Sequence, residues 1–136
     1  MVAGAASAAA ATLAKGASSL SAWSPARYAL FRSERLRPAA DLLARVPKIA
    51  ASQPQIIDAG SGDGSASKLL LERWPSASLE CLDSSEEMLD AARADTALSG
   101  RLVTFTAADI HSHFAEASGV NGTFYDLVFA NASLHW

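Results

Sequence analysis

The sequence predicts an α/β fold built on a parallel β-sheet, and three observations predict it. Short apolar runs alternate with amphipathic stretches along most of the chain. One run, QIIDA at 55–59, leads directly into a glycine-rich turn, GSGDG. A later run, LVFA at 127–130, is apolar throughout, as a strand covered on both faces should be. Strands separated by helices form right-handed crossovers, which makes neighbouring strands parallel.

The bulk numbers set the frame. A chain of 136 residues allows one small domain. Half of it is hydrophobic and 18% is charged, a globular composition. A net charge of −3 gives no general attraction to nucleic acid or to an anionic membrane. The single cysteine, Cys81, excludes an internal disulfide and fits a reducing, cytoplasmic setting. No apolar run has the length to span a bilayer. Residues 1–22 are Ala/Ser-rich with one charge, Lys15, and read as a disordered tail; an organelle-targeting segment is the alternative. The folded domain is expected over 23–136.

Residues 23–37, WSPARYALFRSERLR, are basic and aromatic, with Arg27, Arg32, Arg35 and Arg37 against Glu34 alone. Pro38 suits the first turn of a helix over 39–46, with Leu42, Leu43 and Val46 on one face and Pro47 as the stop. The first strand is 55–59. Ser65 is expected to cap a helix over 66–74 that turns Ala66, Leu69 and Leu70 inward and ends at Pro75. The second strand is 78–82, with Asp83 at its tip. Ser84 and Glu87 fit a capping box for a helix reaching 99, with Gly100 just past its end. The third strand is 102–106. HSHFAEASGVNG, 111–122, reads as a short helix or loop, and 125–130 is the fourth strand. The expected order is 3-2-1-4, which leaves the apolar fourth strand at an edge.

The glycine turn carries the chemistry. Gly60, Gly62 and Gly64 recur at every second position, whereas a dinucleotide loop has its third glycine one residue later. A phosphate loop needs Lys-Ser/Thr after the last glycine, and Ser65-Ala66 stands there. Asp63 inside the turn would repel a pyrophosphate. These facts disfavour a nicotinamide-dependent oxidoreductase and favour a ligand with a positive centre and no phosphate. S-adenosylmethionine is such a ligand. Asp83, nineteen residues after Gly64, stands where doubly wound folds place an acid for ribose hydroxyls. Asp109, in AADI after the third strand, is placed to accept from an adenine amino group. Together with Asp58, three strand ends present carboxylates. His111 and His113 form an H-x-H pair, but with Cys81 in a strand no metal site is expected.

DAGSGDG, CLDSSEEML, AADI and DLVFANASLHW resemble the successive motifs of class I S-adenosylmethionine-dependent methyltransferases. WSPARYALFRSERLRPAADLLARVP, LLERWPSASLECLDSSEEMLDAAR and FANASLHW resemble, more closely, the trans-aconitate 2-methyltransferases. The likeness runs from Trp23 to Trp136 and implies a Rossmann-like sheet, truncated after the fourth strand, with N-terminal helices. It implies that the chain is the N-terminal half of an enzyme that methylates a carboxylate of a small organic acid such as trans-aconitate. The alternatives are a methyltransferase for another small molecule and a catalytically incomplete cofactor-binding fragment.

The resemblance also implies residue roles. Asp58 and the Gly60 backbone would hold the methionine end. Gly62 and Gly64 would let the chain pass close to the sugar, and Asp83 would hold the ribose. Ser84 and Met88 would line the adenine side, and Asp109 and Ile110 would read and sandwich the base. Asn131 and Ala132 would border the reactive methyl. Arg35 and Arg37 are candidates to fork onto a substrate carboxylate. Trp23 and Tyr28 would close over the cleft, and His135 and Trp136 would stand beside the transfer site.

Overall fold

The structure is a computed structural model that describes residues 32–117 and 124–134. The order of elements is α1 (Arg32–Arg45), β1 (Gln55–Ala59), α2 (Ser65–Arg73), β2 (Ser78–Asp83), α3 (Glu86–Ala94), β3 (Val103–Ala107), α4 (Ile110–Ala117) and β4 (Leu127–Phe129). The four strands form one sheet in the order β3-β2-β1-β4, and every pair is parallel. This is the predicted topology.

Side chains alternate across the sheet, so each strand feeds two layers. Ile56, Leu79, Cys81 and Phe129 point to the face covered by α2 and α3, where Leu70, Leu71, Leu89 and Ala92 complete the main core. α1 packs on α2 and adds Ala39 and Leu43. Ile57, Ala59 and Leu82 point the other way, onto Ile110, Phe114 and Tyr125. On that second face Glu80 joins three elements. Its Oε1 accepts from Thr106 Oγ1 at 2.6 Å, and its Oε2 accepts from Tyr125 Oη at 2.6 Å. His113 Nε2 of α4 lies 3.3 Å from the same Tyr125 oxygen. Burial, and then the bond to Glu80, raise the Tyr125 pKa above its ordinary value.

The helix boundaries differ from expectation for physical reasons. α1 begins at Arg32, so Pro38 lies inside it rather than in its first turn. The upstream Arg, Glu and Leu residues are good helix formers. Pro38 is exposed, so its lost backbone bond weakens the helix without breaking it. The last turn of α1 is tied down by Arg73, whose guanidinium donates to the carbonyls of Leu43 and Val46. Leu42, expected inward, is 42% exposed; the buried stripe is Ala39 and Leu43. α2 starts one residue early, at Ser65, with Gly64 as its cap position and no side-chain cap. Its fully buried residues are Ser67, Leu70 and Leu71, with Ala66 and Leu69 packed at the core margin. α3 is capped by Ser85, not Ser84: Ser85 Oγ accepts from Met88 N at 3.3 Å. It ends at Ala94, and 96–100 continue as turns. The 111–122 stretch opens as helix through residue 117. β4 is shorter than expected, and Val128 is 51% exposed, so this strand is covered on one face only.

Candidate functional site

The site grows from the turn after β1. Gly60 N and Ser61 N both donate to the Leu82 carbonyl, at 2.7 and 3.0 Å, which folds the loop over the end of β2. Gly62 N donates to Asp83 Oδ2 at 2.8 Å, and Ser85 N donates to Asp83 Oδ1 at 2.9 Å. Each Asp83 oxygen therefore carries one backbone donor and keeps acceptor capacity for a ligand. Gly60, Gly62 and Gly64 all have left-handed backbones, with φ of 81°, 55° and 76°. That conformation is open to glycine at little cost and lets the loop turn its amides onto the end of β2.

Beside this turn lies a crevice of about 680 Å³ at the carboxyl ends of the strands. Ligand pockets commonly have this size and stand at this edge of a parallel sheet. Its lining brings together most of the residues singled out in the sequence: Gly60, Gly62, Asp83, Ser84, Met88, Asp109, Ile110, Asn131 and Ala132. Asp109 stands at the start of α4, where its Oδ1 accepts from Ser112 N at 3.0 Å. Those bonds hold its carboxyl below the usual carboxylate range.

Three expected contributors do not line the crevice. Asp58 is 1% exposed and sits beneath the floor, on the α2 side of β1. Its Oδ2 accepts from Ser67 Oγ at 2.6 Å. Burial pushes its pKa up to about 7, the Ser67 bond opposes that, and the charge of Asp83 adds to it. Gly64 also lies outside. A Cβ there would meet Leu98 Cδ1 at 2.5 Å and Ala92 Cβ at 3.2 Å, so this glycine serves close packing against α3 and the turns after it. Asp63, expected to set the loop's charge, is 9% exposed, and its Oδ1 accepts from Ser65 N at 3.1 Å. It serves the start of α2 rather than the ligand.

The sequence reading missed Phe114, Ser85 and Ser133 as lining residues. Ser133 has a signal visible only in three dimensions. Its Oγ donates to the Ala59 carbonyl, and a Cβ on Gly60 would meet its Cβ at 2.2 Å. Its neighbour Ala132, at φ 56°, is the one non-glycine residue with a left-handed backbone among the described residues. The H-x-H pair divides: His111 lines the crevice, while His113 turns to Tyr125 and Glu80. Among the described residues, no three His, Cys, Asp or Glu side chains are grouped to hold a metal. No helix among them is long and apolar enough to cross a membrane.

Of the substrate candidates, Arg37 is exposed on α1 and does not line the crevice. Arg35 lies on the same helix. Tyr28, His135 and Trp136, with Trp23 and Arg27, lie outside the described residues.

Residues 56–136 match a family described as "Methyltransferase domain". A trans-aconitate 2-methyltransferase of Streptomyces avermitilis is 42% identical over 117 residues, covering 84% of this chain and 41% of that protein. Its counterpart in Acidovorax ebreus is 47% identical over 114 residues, covering 84% and 40%. The chain thus spans about two fifths of the length of these relatives. Among solved structures, a complex between the Haloferax volcanii Trm112 methyltransferase activator and a candidate methyltransferase matches at 27% identity. The TM-score is 0.53, with 62% of this chain and 36% of that one covered.

Proposed function

We propose a function from the fact that this chain belongs to the methyltransferase domain family: its crevice binds S-adenosylmethionine, and the protein transfers the methyl group to a carboxylate of a small organic acid such as trans-aconitate. One observation carries the cofactor part. Asp83 borders the glycine turn with both oxygens pre-oriented by backbone donors and still able to accept. That is a receptor for a vicinal diol such as ribose, and it is anionic where a phosphate would have to sit. Met88, Asp109 and Ile110, which line the same crevice, suit a base in a half-apolar slot.

Bound there, S-adenosylmethionine supplies an electrophilic methyl group on a positively charged sulfur. The acceptor needs no general base. A carboxylic acid with a pKa of roughly 4 is already ionised at neutral pH. The residues at the Asn131–Leu134 rim need only align the acceptor oxygen and keep water away. The acceptor's identity rests on the identity to trans-aconitate 2-methyltransferases at 42% and 47%. Arg35, Arg37, Tyr28, His135 and Trp136 are the residues we assign to hold its other carboxylates and cover the site.

Calorimetry of the chain with S-adenosylmethionine tests the cofactor part. Asp83→Asn is expected to weaken binding by about ten- to a hundredfold, the worth of one or two hydrogen bonds to a charged group. An unchanged affinity would remove Asp83 from the site. Methyl transfer to trans-aconitate, measured against citrate and a monocarboxylic acid, tests the acceptor; cofactor binding without transfer would leave a binding module only.

A further inference from the structure

Glu80 does not line the crevice, yet side chains from three other parts of the fold converge on it. It is the third residue of β2, three before Asp83. Thr106 of β3 donates to one of its oxygens, and Tyr125, just before β4, donates to the other. Burial and the bond to Glu80 hold the Tyr125 pKa above its ordinary value, so the phenol keeps its hydrogen and directs it at Glu80. The phenol oxygen is then left to accept, and His113 Nε2, 3.3 Å away, is the donor. Glu80, Tyr125 and His113 thus form a strut from the middle of the sheet to α4.

α4 is also a wall of the crevice. Ile110, His111, Phe114 and Ala115 line it from one side of the helix, and His113 falls on the other. The backbone of His113 closes the first helical turn onto the Asp109 carbonyl at 2.9 Å. Phe114 rests edge-on against both Tyr125 and His113, with ring centres 6.4 and 5.5 Å apart. The approach to α4 is tied by Ala108 N, which donates to the Asp83 carbonyl at 3.1 Å. What that tie leaves open is rotation of this eight-residue helix about its own axis. Apolar packing is non-directional and resists such a rotation weakly, whereas a hydrogen bond is directional and resists it well. We propose that Glu80, Tyr125 and His113 are positioning residues: their strut fixes the rotation of α4, and with it the placement of Asp109 against the base of a nucleoside ligand. None of the three touches the ligand; they act through the helix. The inference rests on the cofactor reading above and adds to it the source of selectivity for the base.

Adenine carries an amino group from which a carboxylate accepts, and hypoxanthine carries in its place a carbonyl oxygen that a carboxylate repels. The ratio of the two affinities therefore reports where Asp109 stands. The experiment is calorimetry of the full chain at pH 7.5 with S-adenosylhomocysteine and with S-inosylhomocysteine. The parent is expected to prefer the adenine compound by about a hundredfold. Tyr125→Phe keeps the ring that Phe114 packs on and removes the hydroxyl. It is expected to lower that preference by about tenfold through weaker binding of the adenine compound, with affinity for the inosine compound changed by less than about twofold. A variant that merely loosens the fold weakens both alike. His113→Gln keeps a donor nitrogen near the place of Nε2 and is expected to retain the preference, whereas His113→Leu is expected to lose it as Tyr125→Phe does. Should Tyr125→Phe fail to fold, the two His113 variants decide. Binding of neither compound by the parent overturns the cofactor reading and this inference with it. A ratio unchanged in Tyr125→Phe and His113→Leu overturns the inference alone. So does an equal loss for both compounds, a His113→Gln variant no better than His113→Leu, or a parent that binds both compounds equally.

Discussion

Gly60, Gly64 and Gly100 share a left-handed backbone but not a neighbourhood. A Cβ on Gly100 meets nothing within 4 Å. Alanine there bears only the backbone cost, about 1–2 kcal/mol. On Gly64 the nearest atom is the far end of the Leu98 side chain, which can yield only at the cost of repacking the core around it. On Gly60 it is Ser133 Cβ at 2.2 Å, held by the bond of that serine to Ala59. Denaturant unfolding is therefore expected to rank the alanine variants Gly60 as worst, Gly64 next and Gly100 mildest. A Gly100→Ala loss equal to that of Gly60→Ala would contradict the contact argument. The residue scale also shows where sequence reading stops. Spacing alone picked out Asp83 and Asp109, because an acid at a strand tip has few places to point. It could not tell Asp58 from them. Asp58 is the fourth residue of a five-residue strand, and alternation turned it under the sheet and against Ser67.

At the scale of elements, strands were more legible than helix ends. β1 was read to the residue because its apolar run is bounded by Pro54 and the glycine turn. Helix starts depend on which of several adjacent capping residues wins. Ser84 and Ser85 are equivalent in the sequence; Ser85 wins because its amide is held by Asp83, which fixes its extended backbone. Ser85→Ala is expected to cost about 1 kcal/mol of stability by loss of the Met88 cap, and Ser84→Ala close to nothing. Equal losses in thermal unfolding would reassign the cap. α1 was misread for a related reason. Proline is a strong mark of a first turn, but an exposed proline is tolerated where Ala39, Leu43 and the Arg73 bonds hold the helix down.

For the whole molecule, the notable balance is acid. The net charge is −3 and the isoelectric point near 5.5, and one carboxyl lies inside the sheet with its pKa pushed up to about 7 by burial. Its native pKa, about 7, lies above the ordinary 3.8, so the native chain keeps a proton that the unfolded chain has lost. Asp58 therefore stabilises most at low pH, and that contribution is lost as pH rises through about 7. Asp58→Asn removes the dependence. The stability of the variant relative to the parent is expected to improve steadily from pH 4 to 7, by at most about 4 kcal/mol, and to level off above. A flat difference across that range in urea unfolding would show that Asp58 is ionised when native. The parallel sheet and its strand order were legible from alternation and the crossover rule. The exposure of Val128 was not, because burial of the outer face of β4 depends on what lies beside it.

The Glu80 carboxylate, bridging Thr106 and Tyr125 with His113 alongside, bolts one wall of the crevice to the sheet. The rim at 131–134 is tied to β1 by the Ser133 hydroxyl on the Ala59 carbonyl and turns through the left-handed backbone of Ala132. Amide hydrogen exchange should accordingly be slower in α4 than at 131–134, and Glu80→Gln should narrow the gap. The α4 wall is thus set by the sheet itself, so a ligand meets one side of the cleft already in place before it arrives.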